Sequence, residues 1–133
     1  MTTCGKDFLE WQKEASQVFE IGFGVVEELV RAKTALQEPQ TPIVKLQQLT
    51  DENPETWTDR SSEVAIENAG IVDDVDDEGD LILADGAVQF RITGETQAEE
   101  PESGEDYSFL VIANRADDPT LQVSHRVWLH ILP

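Results

Sequence analysis

Apolar residues recur at alternating spacings of three and four along one long stretch, residues 7–37. Phe8, Trp11, Ala15, Val18, Gly22, Val25, Leu29, Ala32 and Leu36 would form one stripe of an α-helix, widened by Phe19 and Val26. Glu10, Lys13, Glu20, Glu27 and Arg31 fall away from it. Asp7 and Glu10 give a D-x-x-E start resembling a capping box, Arg31 and Lys33 suit the far end of the helix dipole, and Pro39 and Pro42 end the run. The pattern predicts a long first helix, roughly 45 Å at about 1.5 Å per residue. A compact domain of this length is only about 35 Å across. Gly22 and Gly24 offer either a break, at about 1 kcal/mol each relative to alanine, or a close-approach point for a partner helix. The wide stripe favours a homodimer through this first helix.

Thr41-Pro42 reads as the cap and first position of a short second helix over residues 42–49, with Ile43, Leu46 and Leu49 on one face. Residues 50–55 form a turn around Asn53-Pro54. Two patterns compete over residues 58–69: Asp59 suits the cap of a helix ending at Gly70, whereas Val64 and Ile66 alternate as in a strand. The helix is the reading adopted.

From Ile71 onward the period shortens to two. Residues 80–84 and 87–93 flank Asp85-Gly86, a pair that supplies the positive φ angles of a two-residue hairpin turn. Val88, Phe90 and Ile92 alternate with Gln89, Arg91 and Thr93, so this strand buries one face. Residues 94–106 contain six acids, Pro101 and Gly104 without a bulky apolar residue, and read as a mobile acidic loop. Tyr107 to Asn114 is apolar on both faces, as an inner strand is. After a turn at Asp117-Asp118-Pro119, a long strand over 121–132 sets Leu121, Val123, Val127, Leu129 and Ile131 on one side.

The predicted fold class is therefore α+β: a long N-terminal helix plus one or two short helices, packed on an antiparallel sheet of about four strands that forms a β-meander in the C-terminal half. The chain reads as a single domain, residues 1–133: helical 7–69, acidic hairpin region 71–93, mobile acidic loop 94–106 and C-terminal strands 107–132.

Charge changes the picture more than any other part of the composition. Twenty-eight acids against nine bases give −19, and residues 71–106 alone hold 13 acids and one base. Residues 107–133 balance two against two. Such a field repels phosphates and anionic membranes and attracts basic proteins, so direct nucleic-acid or membrane binding is not expected. Plain solubility accounts for the same acidity. Cys4 is the only cysteine, which leaves no internal disulfide and no cysteine-based zinc site. The start carries no signal-like apolar segment, the run at residues 21–26 is far too short to span a bilayer, and the expectation is a cytoplasmic protein.

Residues 74–85, DVDDEGDLILAD, resemble the calcium loop of EF-hand proteins. Asp74, Asp76 and Glu78 stand at its first, third and fifth positions, Gly79 at the sixth, Leu81 at the eighth and Asp85 at the twelfth. Glutamate at the fifth position, aspartate at the twelfth and a strand rather than a helix afterwards depart from that pattern. The resemblance implies a calcium site of Asp74, Asp76, Glu78, Asp80 and Asp85; a solvated acidic turn is the plainer explanation, and no other cofactor is expected.

Catalytic constellations are missing from the sequence. His125 and His130 are five apart on a strand and so face opposite ways; His125, in the apolar series, reads as a core or edge histidine. Cys4 has no adjacent base, and no nucleophile elbow, phosphate loop or dinucleotide fingerprint occurs. The last strand does carry a polar face of Gln122, Ser124, Arg126, Trp128 and His130, which Arg91 would extend. Tryptophan and arginine are the residues interfaces favour. The expected function is that of a non-enzymatic acidic adaptor or chaperone-like module for a basic protein partner. Asp76, Asp77 and Asp80 would steer the partner, while Arg91, Arg126, Trp128 and His130, or the helix stripe, would meet it. Small acidic secretion chaperones share this style of composition. The rivals are a nucleic-acid mimic that occupies a basic DNA-binding protein, and weak calcium binding through the 74–85 loop.

Overall fold

Strands carry most of the chain. The computed structural model describes residues 8–12, 15–37, 42–52, 54–94 and 104–132. In order, the elements are β1 (Phe8–Gln12), β2 (Ser16–Gly22), α1 (Glu27–Ala32), β3 (Ile43–Glu52), β4 (Glu55–Asp59), a 3₁₀ turn at Ser61–Glu63, β5 (Val64–Val75), β6 (Leu81–Gly94), β7 (Gly104–Asn114) and β8 (Gln122–Leu132). They form a five-stranded sheet, β1-β8-β7-β3-β4, and a three-stranded sheet, β2-β6-β5. The β1–β8 pairing is parallel and the others are antiparallel.

The α+β expectation is overturned: the fold is mainly β, with a single short α-helix among the described residues. Residues 8–36 hold two strands and a six-residue helix instead of one long rod. Its apolar residues satisfy a second period as well. Phe19, Ile21 and Phe23 alternate inward and are buried, whereas Val18 and Val25 of the helical stripe are exposed. Clustered β-branched and aromatic residues favour the pleated arrangement, and two interior glycines disfavour the helix. The expected homodimer through a long first helix has no support from the single six-residue helix described. Residues 43–52 likewise form β3 in place of the expected second helix, because β7 lies alongside to pair with them. Over residues 58–69 the alternation of Val64 and Ile66 wins, and only a 3₁₀ turn precedes β5. The meander is split as well: β5–β6 and β7–β8 are hairpins in different sheets. The expected mobile loop lies mostly outside the described residues, between β6 and β7.

The hairpin turn is displaced from Asp85-Gly86. β6 runs straight through that pair, which makes a bulge opposite Asp73, with Leu83 paired to Asp74 and Ala87 to Val72. Asp85 holds the positive φ of 52° that the sequence chemistry foresaw, but it bends the strand instead of reversing it. The bulge aims two carbonyls outward: Gly86 accepts from the Phe23 N–H (2.7 Å) and Asp85 from the Leu36 N–H (3.0 Å). Both ends of the segment carrying α1 are thereby pinned to β6. The chain actually reverses at residues 76–80. There the Asp76 carboxylate accepts from the N–H groups of Glu78 and Asp80, each at 2.9 Å, and Gly79 supplies a φ of 86°.

The core lies between the sheets. Phe19 and Phe90 of the three-stranded sheet meet Phe109 of the five-stranded sheet at ring-centroid separations of 5.3 and 4.9 Å. Trp11, Leu46, Val88, Ile92, Tyr107, Leu129 and Ile131 complete it. The expected inward series of the late strands is found largely in place: Val88, Phe90, Ile92, Val123, Leu129 and Ile131 are buried, although Leu121 is exposed. No helix among the described residues is long and apolar enough to cross a membrane.

Candidate functional site

The most organised polar cluster stands on the outer face of the five-stranded sheet. Register places Trp128 of β8 opposite Ser108 of β7, and Ser108 opposite Gln47 of β3. Trp57 of β4 stands opposite Leu49 of β3. Two tryptophans from strands separated by β7 and β3 thus lean across the sheet, with ring centroids 5.4 Å apart. Ser108 is small enough to leave room beneath them and is fully buried although it faces outward.

Arg126 completes the cluster. Its guanidinium carbon stands 3.9 Å from the centre of the Trp57 ring, a cation–π geometry. Nη1 donates to Ser108 Oγ (2.6 Å) and Nη2 to Gln47 Oε1 (2.9 Å). Trp57 Nε1 donates to Glu55 Oε1 at 2.7 Å. Burial lowers the Arg126 pKa from its ordinary value, and nearby Glu55 opposes that shift; an arginine stays charged all the same. Among the described residues no carboxylate forms a salt bridge with it, in a chain with a net charge of −19. The arrangement is a partly exposed aromatic surface around a cation held by neutral acceptors.

The structure brings together only some of the predicted site residues. Arg126 and Trp128 join, and His130 follows on the same side of β8, opposite Glu10 in register. Arg91 does not: it stands on β6 in the other sheet, exposed, with Nη1 donating to Ser16 Oγ at 2.9 Å. Asp76, Asp77 and Asp80 occupy the exposed tip of the β5–β6 hairpin. Trp57 falls between the expected turn over 50–55 and the expected helix over 58–69, and Gln47 lies within the expected second helix, so neither stands out in the sequence. Thr56, Trp57 and Thr58 after Asn53-Pro54 were the available strand signal.

The five carboxylates of the calcium-loop resemblance do not converge. The twelve residues are stretched along a hairpin, with Asp74 paired to Leu83 and Asp85 placed in the bulge. Asp74 turns inward, buried, and accepts from the Gly24 N–H at 2.9 Å. Asp76 is engaged by its own turn. Among the described residues no group of three or more histidine, cysteine or acidic side chains is placed to hold a metal ion.

His125 faces the core, opposite Val111 in register and 5.6 Å from the Phe23 ring. Burial holds its imidazole below the ordinary histidine value of 6.5. Below that pH the unfolded chain takes up a proton that the folded chain refuses, so stability falls as pH drops from about 6.5 to the lower folded value. Urea midpoints across this window should decline for the parent and stay flatter for His125→Phe. Equal slopes in both proteins would rule the imidazole out as the cause.

Comparisons of the chain with protein-family models, with curated proteins and with solved structures find no match. The fold defines a small two-sheet β module, and its surface chemistry carries the functional reading.

Proposed function

We propose that this protein is a non-enzymatic protein-binding module, an adaptor whose contact surface is the outer sheet face around Trp57, Arg126 and Trp128. The observation that carries this reading is the tryptophan pair locked across four strands with Arg126 stacked on it. Aromatic and arginine side chains of this kind dominate interface energetics, and here they are held rigid before any partner arrives. The acidic hairpin supplies a long-range field that draws in a basic partner, while the neutral sheet face supplies the contact.

The test is capture of partners on immobilised protein, eluted in salt steps, followed by affinity measurements with the captured protein. Trp128→Ala is expected to weaken binding about thirty-fold, the size of a hot-spot truncation, with the chain still folded by its melting curve. Asp77→Asn with Asp80→Asn should slow association and flatten its salt dependence, leaving dissociation nearly unchanged. Partner binding that survives loss of both Trp57 and Trp128 in a folded protein removes this face from consideration.

A further inference from the structure

A second surface, sharing no residue with the tryptophan face, lies where α1 meets the β5–β6 hairpin. Between them runs a groove of about 330 Å³ lined by Gly24, Leu29, Val30, Lys33, Ile82 and Leu83, with Thr34 at its side. Leu29 is buried, while Val30 and Ile82 are 57% and 50% exposed. Next to the lining residues Gly24 and Ile82 in the chain, Val25 and Leu81 are 77% and 61% exposed. Gly24 is required here, since a Cβ would come within 2.6 Å of both Ile82 Cγ2 and Asp74 Oδ2. Val30 and Ile82, large, exposed and facing one groove of an otherwise very polar protein, mark a docking surface and not scattered exposure.

Charge identifies what docks. Residues 73–85 contain seven acids and no base. Asp77, Glu78 and Asp80 are exposed at the hairpin tip, and Asp80 precedes Ile82 by two residues, about 7 Å along an extended strand. On the other wall Lys33 is the cation in the lining, and Arg31 is ion-paired to Glu27 on the same helix. An occupant that satisfies both features supplies bulky apolar groups for the groove and positive charge for the hairpin. A second copy of the chain would set one acidic hairpin against another, which like-charge repulsion disfavours. Anionic lipid and nucleic acid are repelled for the same reason.

We propose that this groove docks a short basic amphipathic segment of a protein partner. An apolar anchor of that segment fills the space between Val30 and Ile82, and its lysines or arginines lie over Asp77, Glu78 and Asp80. The groove shares no lining residue with the tryptophan face; the acidic hairpin serves both, so Val30, Ile82 and Trp128 are the positions that separate them.

Selection from a displayed library of random peptides against the full chain tests the proposal, followed by affinity measurement of the selected peptides. The expected consensus couples lysine or arginine with one or two bulky apolar residues. Val30→Ser and Ile82→Ser, both at exposed positions, should each weaken binding about tenfold or more, whereas Trp128→Ala should not. Asp77→Asn with Asp80→Asn should weaken binding and reduce its salt dependence. Selected peptides without basic residues, peptides indifferent to Val30 and Ile82, or a selection that yields no binder would each overturn it. So would sedimentation showing that the parent self-associates and that Ile82→Ser abolishes the association, because the occupant would then be a second copy.

Discussion

Replacing Phe109 by alanine is expected to cost about 3–5 kcal/mol of folding free energy, the range for a buried aromatic truncated in a packed core. Phe109 is fully buried on the central strand β7. It is also where the two sheets meet, since its ring contacts Phe19 and Phe90 from the opposite layer. Removing it opens a void bounded by both sheets, and neither can relax into the space without shifting its own strand pairing. A domain of this size is stabilised by only about 5–15 kcal/mol in total, so the melting temperature should fall by roughly 10–20 °C. Urea unfolding gives the quantity directly, through a lower midpoint at an unchanged slope. A loss below about 1 kcal/mol, the size of an ordinary surface change, would mean that the sheets do not close over this residue.

Gly22→Ala should destabilise the protein by about 1–3 kcal/mol, an overpacking cost, for a reason specific to one neighbour. A Cβ at position 22 would stand 2.5 and 2.7 Å from the two carboxylate oxygens of Asp74 and 2.8 Å from the carbon between them. That carboxylate cannot simply swing aside. It is buried and held by the Gly24 N–H at 2.9 Å, and moving it would leave a buried charge without its donor. Gly22→Ala should therefore become nearly neutral when combined with Asp74→Ala, a coupling of about 1–3 kcal/mol. Combined with Asp74→Asn, which keeps the shape, most of the cost should remain. Equal penalties in the parent and in Asp74→Ala would show that Asp74 is not what the glycine accommodates. This aspartate, at the first position of the calcium-loop resemblance, ties β5 to the segment that leads into α1.

The calcium-loop resemblance and the displaced hairpin illustrate one lesson. Asp85-Gly86 has the local chemistry of a tight turn, and Asp85 does adopt the positive φ. Whether that φ reverses the chain or only bends it depends on whether the flanking residues find partners. Here β5 extends to Val75 and keeps pairing beyond the bulge, so the reversal moves to the acid-rich residues 76–80. Those acids then become the exposed tip of a hairpin.

Much of the C-terminal half was legible in the sequence. Alternation in Val88, Phe90 and Ile92, the doubly apolar run from Tyr107, and the long alternating strand ending at Leu132 each report burial through a local, two-residue period. The opposite orientations of His125 and His130, the turn at Asp117-Asp118-Pro119 and the separation of acidic from neutral regions follow in the same way. Arg126 and Trp128 were legible as neighbours because they share one face of one strand.

The N-terminal half was decided elsewhere. Residues 8–36 fit a spacing of three and four as well as a spacing of two, and local propensities only lean toward the strand. The choice comes from distant strands: β1 lies against β8, β2 against β6, and β3 against β7. Unpaired backbone in those strands would be costly to bury, so an available edge converts an ambiguous apolar pattern into a strand. Trp57 reaches Trp128 and Arg126 only because three such pairings set β4 and β8 within one sheet. The charge, the inward-facing strand residues and the turn chemistry belong to the sequence by itself. The two-sheet architecture, the tryptophan face and the groove beside α1 exist only through long-range pairing, whose free energy is cooperative and has no local signature.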